Sequence, residues 1–436
     1  MLPTLIEALC DPRRYDPPPP SVELAETHIS WVLLAGAYAY KIKKPVNLGF
    51  LDFSTLAQRE YFCREELRLN QRCAAELYLD VLTIGGTPTS PVWGATPAIE
   101  YAVKMRRFAA EDRLDAVAER GEFTAELCDG LAGELADFHA RVDRAAPGSR
   151  FGSADEVCRE ATENFAVLRR SNIAYKPLEQ LESWSNEQFA RSKQRFDDRK
   201  RDGFVRECHG DLHLANMVRW RNQVLLYDSI EFSPALRWID TASDLAFVVM
   251  DLASRGQHHA SRRLLSAYLE RSADYGALQV LRFYLVYRSL VRAKVAWLRA
   301  AQQAGDDAPQ HGACHDCEHY LATALSFVAP PPARLILMHG VSGSGKTGIA
   351  LGMVEQLGAV RLRSDLERKR LAGLGPLERT SKATLLYSEE MTNATYEHLT
   401  KLTAEILATG WSVVVDAACL RFEQRAQFMA LAQRLG

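Results

Sequence analysis

Eight residues, Gly340-Val-Ser-Gly-Ser-Gly-Lys-Thr347, constrain the fold of this chain more than any other stretch. Glycines at this spacing free the backbone to turn successive N–H groups toward an anion without a side chain in the way. An apolar run, Arg334-Leu-Ile-Leu-Met-His339, precedes the loop, and a helical stretch ending near Gly358 follows it. Strand, glycine loop and helix are the context such a loop requires, so residues 334–436 are expected to form an α/β domain on a parallel sheet. In that context Gly340, Gly343 and Gly345 shape a phosphate cradle, Lys346 reaches the terminal phosphates, and Thr347 offers an oxygen to Mg²⁺.

That domain occupies only the last quarter of a 436-residue chain, which is too long for one hydrophobic core. Residues 1–20 read as an N-terminal segment closed by four consecutive prolines, Pro17 to Pro20. Two short strands follow, Trp31-Val-Leu-Leu-Ala and Ala39-Tyr-Lys-Ile-Lys-Lys44, separated by a turn at Gly36. Helical periodicity runs from Leu56 to Cys73, and a further strand pair is expected at Val81-Leu-Thr-Ile and Ile99-Glu-Tyr-Ala-Val-Lys-Met. Residues 111–328 are largely helical, as in Leu131 to Val142 and Leu278 to Arg299, and Ala329-Pro-Pro-Pro-Ala333 is a linker because consecutive prolines cannot continue a helix.

A non-helical island, Cys208 to Glu231, interrupts the helical region. It reads His209-Gly-Asp-Leu-His-Leu-Ala-Asn216, then Val224-Leu-Leu-Tyr, then Asp228. Phosphoryl transfer asks a protein for positioning and charge stabilisation more than for covalent chemistry. Asp211, on a tight glycine-containing loop, can take or orient the proton of an acceptor hydroxyl. Asn216 can ligate Mg²⁺ from the same loop, and Asp228, at the end of the next strand, can bridge the metal to the β- and γ-phosphates.

On these residues the chain resembles the aminoglycoside phosphotransferase and choline-kinase-like superfamily, which shares the protein-kinase fold. The resemblance makes Asp211 the catalytic base and Asn216 and Asp228 the metal ligands. It also likens Leu131-Ala-Gly-Glu-Leu-Ala-Asp-Phe-His139 to the helix before the loop. Trp238-Ile-Asp-Thr-Ala-Ser-Asp-Leu-Ala246 then corresponds to the segment whose aspartate, here Asp244, supports the loop; His209 and His213 are expected to brace it. Such a fold needs a strand lysine for the α/β-phosphates, held by a helix glutamate. Lys41 and Lys43 share one face of their strand; matching Ala39-Tyr-Lys41 to the family strand favours Lys41. Glu66 is preferred to Glu65 because it falls on a stripe with Phe62, Leu69 and Cys73, where a carboxylate must find a partner. No Gly-x-Gly-x-x-Gly loop precedes Lys41, as is common among aminoglycoside-type kinases. The resemblance implies a two-lobed α+β domain, with residues 21–110 as the N-lobe and 111–328 as the helical C-lobe.

The C-terminal segment resembles small P-loop kinases such as gluconate kinases, polynucleotide 5′-kinases and zeta-type toxins. By that likeness Val360-Arg-Leu-Arg-Ser-Asp365 is the second strand and Asp365 a candidate base. Arg368 is a candidate phosphate ligand, and Asp416, ending Trp411-Ser-Val-Val-Val-Asp416, lies near the metal. Arg368, Arg421 and Arg425 read equally well as an exposed polar helix face. Three strands are legible before Gly436, and neither the last strands of such a domain nor its lid is visible, which suggests a reduced domain or a fragment. The paired arrangement is similar to a family of bacterial bifunctional proteins.

Together these readings imply ATP and Mg²⁺ as cofactors and transfer of the γ-phosphate to a hydroxyl of a small molecule. Two alternatives stand beside it: transfer at the P-loop to a small molecule or nucleic-acid end, and a nucleotide-sensing regulator without transfer. A net charge of −2 provides no global basic field for a polynucleotide partner. No apolar run is long enough to span a membrane, Met1 to Cys10 lacks the form of a signal peptide, and nine scattered cysteines suggest reduced thiols, so a cytoplasmic location is expected. The run His311-Gly-Ala-Cys314-His-Asp-Cys317-Glu-His319 offers a single Cys-x-x-Cys, a weak zinc signal. Trp297, Tyr284 and Tyr287 read as core.

Overall fold

The computed structural model describes residues 2–49, 51–170, 177–303, 315–375, 378 and 386–435. Two compact units emerge: Met1–Arg120 with Val142–Ala145 and Arg206–Ile239, and Gly121–Arg141 with Ala146–Val205 and Asp240–Gly436. The island around Asp211 thus belongs with the N-terminal sheet, although some 85 residues of chain separate them.

The first unit is built on a six-stranded antiparallel sheet: β1 (Val22–Glu26), β2 (Ser30–Ala35), β3 (Tyr38–Lys43), β4 (Tyr78–Thr87), β5 (Ser90–Trp93) and β6 (Ala98–Arg106), in the order β1-β2-β3-β6-β4-β5. β3 is central; Lys41 lies opposite Val32 of β2 and Val103 of β6. One face packs Trp31, Leu33, Tyr40, Ile42 and Ile84 against Ile6 and Leu9 of α1 (Thr4–Leu9), with Tyr40 and Trp93 rings 4.7 Å apart. Because side chains alternate along a strand, burying Ile42 there sends Lys41 and Lys43 to the opposite face.

That opposite face meets α2 (Leu56–Ala74). A reciprocal cap starts the helix: Gln58 N–H donates to Thr55 Oγ1 at 3.2 Å and Thr55 N–H to Gln58 Oε1 at 3.1 Å. Its buried residues are Arg59, Cys63, Glu66, Leu69, Asn70 and Ala74. The inward stripe is therefore rotated by about one position from the Phe62–Cys73 reading; Glu66 and Leu69 are common to both, while Phe62 and Cys73 flank it half-buried. Arg59 donates to both carboxylate oxygens of Glu100 at 2.9 Å, which explains a guanidinium on that face. A hairpin, β7 (Met217–Trp220) and β8 (Gln223–Leu226), completes the unit. β1, β5 and β7 were not anticipated, being short and carrying weak apolar patterns.

The second unit is mainly helical: α3 (Ala125–Arg141), α4 (Ala154–Arg170), α5 (Leu178–Arg201), α6 (Thr241–Ser254), α7 (His258–Ser272), α8 (Leu278–Gln303) and α9 (His315–Val328). Arg199 ties three of its segments together by fork-like bonds to Asp240 (2.7 and 2.8 Å) and Asp274 (2.9 and 2.8 Å). Tyr284 and Tyr287 are buried, and Trp297 packs on the α4–α8–α9 cluster, as core residues.

The same unit holds a three-stranded parallel sheet. Its strands are β9 (Leu335–Leu337), β10 (Val360–Arg363) and β11 (Val413–Asp416), in the order β9-β11-β10. Around it lie α10 (Lys346–Leu357), α11 (Ser364–Leu371), α12 (Glu389–Ala408) and α13 (Phe422–Leu435). β10 stops at Arg363, so Asp365 sits in the first turn of α11, where an acidic side chain suits the helix dipole, and not on a strand as the sequence suggests. The proline linker does not separate this sheet from the helices. Arg361 makes two bonds to Glu270 of α7 (2.7 and 2.9 Å), Tyr275 Oη donates to Glu367 at 3.1 Å, and Arg282 lies 4.6 Å over the Trp411 ring. No helix among the described residues is long and apolar enough to cross a membrane. The first unit is thus a six-stranded antiparallel sheet with α2 and a hairpin, and the second a set of helices together with a three-stranded parallel sheet that carries the glycine loop.

Candidate active site

Lys41 and Lys43, two residues apart on β3, both reach Glu66 of α2: Lys41 Nζ lies 2.8 Å from Oε1 and Lys43 Nζ 2.7 Å from Oε2. Lys41 also meets Asp228 Oδ1 at 2.5 Å, and Lys43 donates to Glu231. Three carboxylates and two ammonium groups thus alternate in one cluster, buried except at Asp228. Burial opposes ionisation of Glu66, but the Lys41 and Lys43 charges outweigh it and bring its pKa down to about 2. Burial likewise opposes the Lys41 charge, yet Asp228 and Glu66 hold its pKa well above the ordinary lysine value. For Glu231, burial prevails over Lys43 and its pKa is raised.

Asp228 is the most open member, with 42% of its side chain exposed, and its backbone sits at φ +64°, a left-handed conformation rare outside glycine. Three local ties hold it there. Asp228 N–H donates to Tyr78 Oη at 3.2 Å, Ser229 N–H to Asn70 Oδ1 at 2.9 Å, and Ile230 N–H to His209 O at 3.1 Å.

Asp211 lies on the adjoining loop. Gly210 is at φ +88°, and a Cβ there would come 2.7 Å from Leu236 O, so only glycine fits. His209 is fully buried; its Nδ1 accepts Asp211 N–H at 3.4 Å, which leaves Nε2 protonated to donate to Tyr227 O at 2.9 Å. Asn216 Nδ2 donates to Asp211 O (2.9 Å) and Asp211 Oδ2 (3.1 Å), and His213 Nε2 lies 3.3 Å from Asp211 Oδ2. The loop is laced to the Asp228 segment, since Tyr227 N–H donates to Asn216 O at 2.9 Å. Asn216 Oδ1 and Asp228 Oδ2 are hard oxygens left over from these bonds, the donor type that suits Mg²⁺.

The cluster includes residues that sequence reasoning missed. Glu231 is flanked by Ile230 and Phe232, a setting in which a carboxylate signals a buried partner, but the partner is 188 positions away. Glu65, the rejected alternative to Glu66, belongs to a separate network. There Arg68, Arg72 and Arg237 converge on Glu207 (2.8, 3.0 and 3.1 Å), and Arg237 also meets Glu65 at 2.8 Å. In the second unit, Asp244 Oδ2 lies 3.2 Å from His139 Nε2, whose Nδ1 meets Tyr268 Oη at 2.8 Å.

At the glycine loop, Gly340, Gly343 and Gly345 all have positive φ, and the loop opens directly into α10. Lys346 folds back on Val341 O at 2.5 Å and Thr347 is exposed. Asp416 ends β11 with Oδ2 3.8 Å from Arg361 Nη1. Asp365 is exposed and clasped by Arg363 at 3.2 and 2.7 Å. Arg368 bonds Leu386 O and Thr392 Oγ1 (both 3.0 Å), Arg421 pairs with Glu389 at 2.9 Å, and Arg425 caps Cys419 O and Leu420 O (both 2.8 Å). All three arginines already have protein partners. Of the weak zinc signal, Cys314 lies outside the described residues, Cys317 is buried in an apolar cluster, and His319 Nε2 meets Ser254 O at 2.7 Å.

Residues 335–436 match a family described as AAA domain. An uncharacterized protein of Mycobacterium tuberculosis (strain ATCC 25618 / H37Rv) is 31% identical over 402 residues, covering 91% of this chain and 78% of that protein. Among solved structures, the chain is similar to a choline kinase from Cryptosporidium parvum Iowa II at 11% identity (70% of this chain, 88% of that one, TM-score 0.44). It is also similar to a thermostable mutant of an aminoglycoside phosphotransferase at 15% identity (71% of this chain, 94% of that one, TM-score 0.43).

Proposed function

The chain belongs to the same family as the mycobacterial protein, and from that premise we propose that it is an ATP-dependent phosphotransferase acting on a hydroxyl of a small molecule at the Asp211 site. The observation that carries the reading is the cluster of Lys41, Glu66 and Asp228, set beside a loop in which Asn216 grips Asp211.

In this reading Lys41 orients the α- and β-phosphates of ATP, with Glu66 fixing the ammonium. Asn216 Oδ1 and Asp228 would hold Mg²⁺, which when bound neutralises phosphate charge. Asp211 accepts the proton of the acceptor hydroxyl as its oxygen bonds to the γ-phosphorus, and the bond to the β,γ-bridging oxygen breaks to leave ADP. Asn216 and His213, both at Asp211 Oδ2, help keep the carboxylate oriented for that transfer.

The glycine loop is read as a second nucleotide site. Its positive-φ glycines and the N-terminus of α10 support phosphate binding, and Asp365 and Asp416 are its candidate base and metal-side carboxylate. A metabolite extract incubated with γ-labelled ATP tests the assignment. Label should enter a small-molecule pool with wild type and with Lys346→Ala, and fall at least a hundredfold with Asp211→Ala. Transfer that survives Asp211→Ala and disappears with Lys346→Ala moves the chemistry to the P-loop.

A further inference from the structure

The Lys41–Glu66 pair has a companion that the proposed chemistry does not use. Lys43 is 1% exposed as a side chain, Glu66 0% and Glu231 4%, so neither Lys43 nor Glu231 is open to a nucleotide, whereas Lys41 (11%) leads to the exposed Asp228. Yet Lys43 takes the second oxygen of Glu66, and Glu231 belongs to the same short segment as Asp228.

The five groups close a ring: Asp228, Lys41, Glu66, Lys43, Glu231, and back through backbone to Asp228. Both ends of that segment are thereby fastened to the same strand and helix. Lys43 also lies 4.9 Å from the centre of the Phe53 ring, which covers it from the side. Arg237 Nη1 holds the Glu231 carbonyl at 3.1 Å, directing the carboxylate inward.

We propose that Lys43 and Glu231 are positioning residues that lock Glu66 and the Asp228 segment into their working arrangement before nucleotide arrives. The proposal rests on the functional reading above for its consequence in turnover, but the locking itself is measurable without turnover. A site tied this way needs no helix movement to assemble, because each oxygen of Glu66 already holds one lysine of β3.

The test separates stability from positioning. The single change Lys43→Met strands the buried Glu231 carboxylate and lowers the melting temperature. The double change Lys43→Met/Glu231→Met removes both charges and should regain most of it, since an apolar pair can replace a buried ion pair. Amide exchange of Asp228, Ser229 and Ile230 in the nucleotide-free protein is the primary readout, as these three N–H groups report the segment directly. In the double variant their exchange should rise at least tenfold, and label transfer from ATP should fall at least tenfold with rescue by neither added Mg²⁺ nor added ATP. Exchange unchanged from wild type overturns the lock whatever the turnover. Faster exchange with transfer within threefold of wild type also overturns it, because the segment then need not be held. Transfer that persists in Asp211→Ala, by contrast, sinks the functional reading while the exchange result still decides the lock.

Discussion

Replacing Glu66 by Gln keeps the shape of the side chain and removes the one anion that both lysines share. The pKa of Glu66 is lowered from its ordinary 4.5 to about 2 by Lys41 and Lys43 acting against burial. At about 1.4 kcal/mol per tenfold change in proton affinity, the ionised form is favoured by roughly 3 kcal/mol in the fold. That figure agrees with the cost of breaking a buried ion pair, about 3 to 5 kcal/mol. Protected amides of β3 should therefore exchange roughly a hundredfold faster in Glu66→Gln than in wild type at pH 7. The sign with pH follows from a depressed carboxyl: its stabilisation is complete above the unfolded value near 4.5 and is lost as pH falls toward 2. The gap between variant and wild type should accordingly close over that window. A rise of less than fivefold at pH 7, or a gap independent of pH, would refute the charge argument.

Three further outcomes are expected. Gly210→Ala should cost about 2 to 4 kcal/mol in local stability and abolish transfer, because its φ is positive and its Cβ would press on Leu236 O; a variant with wild-type melting and turnover contradicts the loop geometry. Glu160, bonded to Tyr287 Oη at 3.1 Å, has its pKa raised to about 7 by burial, so its ionisation destabilises the fold as pH rises from about 4.5 through 7. Glu160→Gln should then be more stable than wild type by up to about 3 kcal/mol at pH 8 and equal to it near pH 4, as read by urea unfolding. Arg361→Met should lower the melting temperature by several degrees through loss of the two Glu270 bonds, and limited proteolysis should first cut residues 334–435; unchanged melting would show that those bonds are dispensable.

What could be read without coordinates was local. The alternation Tyr40-Lys-Ile-Lys fixes which side chains share a face, and the glycine loop with its strand and helix lies within 25 residues of chain. His209 to Asn216 and Asp228 also sit close in sequence. What escaped was set by distant partners: Glu231 by Lys43, and Glu207 by Arg68 and Arg72 more than 130 positions earlier. The shift of the α2 stripe has a similar origin, since the inward Arg59 bonds Glu100, 41 positions on, as well as Phe53 O and Ser54 O. Asp365 moved from strand to helix because an acidic residue just after Arg363 suits a helix start, a preference that the apolar alternation of Val360 to Leu362 masks.

Nucleotide affinity with and without Mg²⁺, measured by titration calorimetry in a Lys346→Ala background, tests the central assignment most directly. With the glycine loop silenced, one equivalent of ATP should still bind, at least tenfold more tightly with Mg²⁺ than with chelator, and adding Asp228→Asn should erase that difference. No residual binding in Lys346→Ala, or a Mg²⁺ effect indifferent to Asp228, would contradict it.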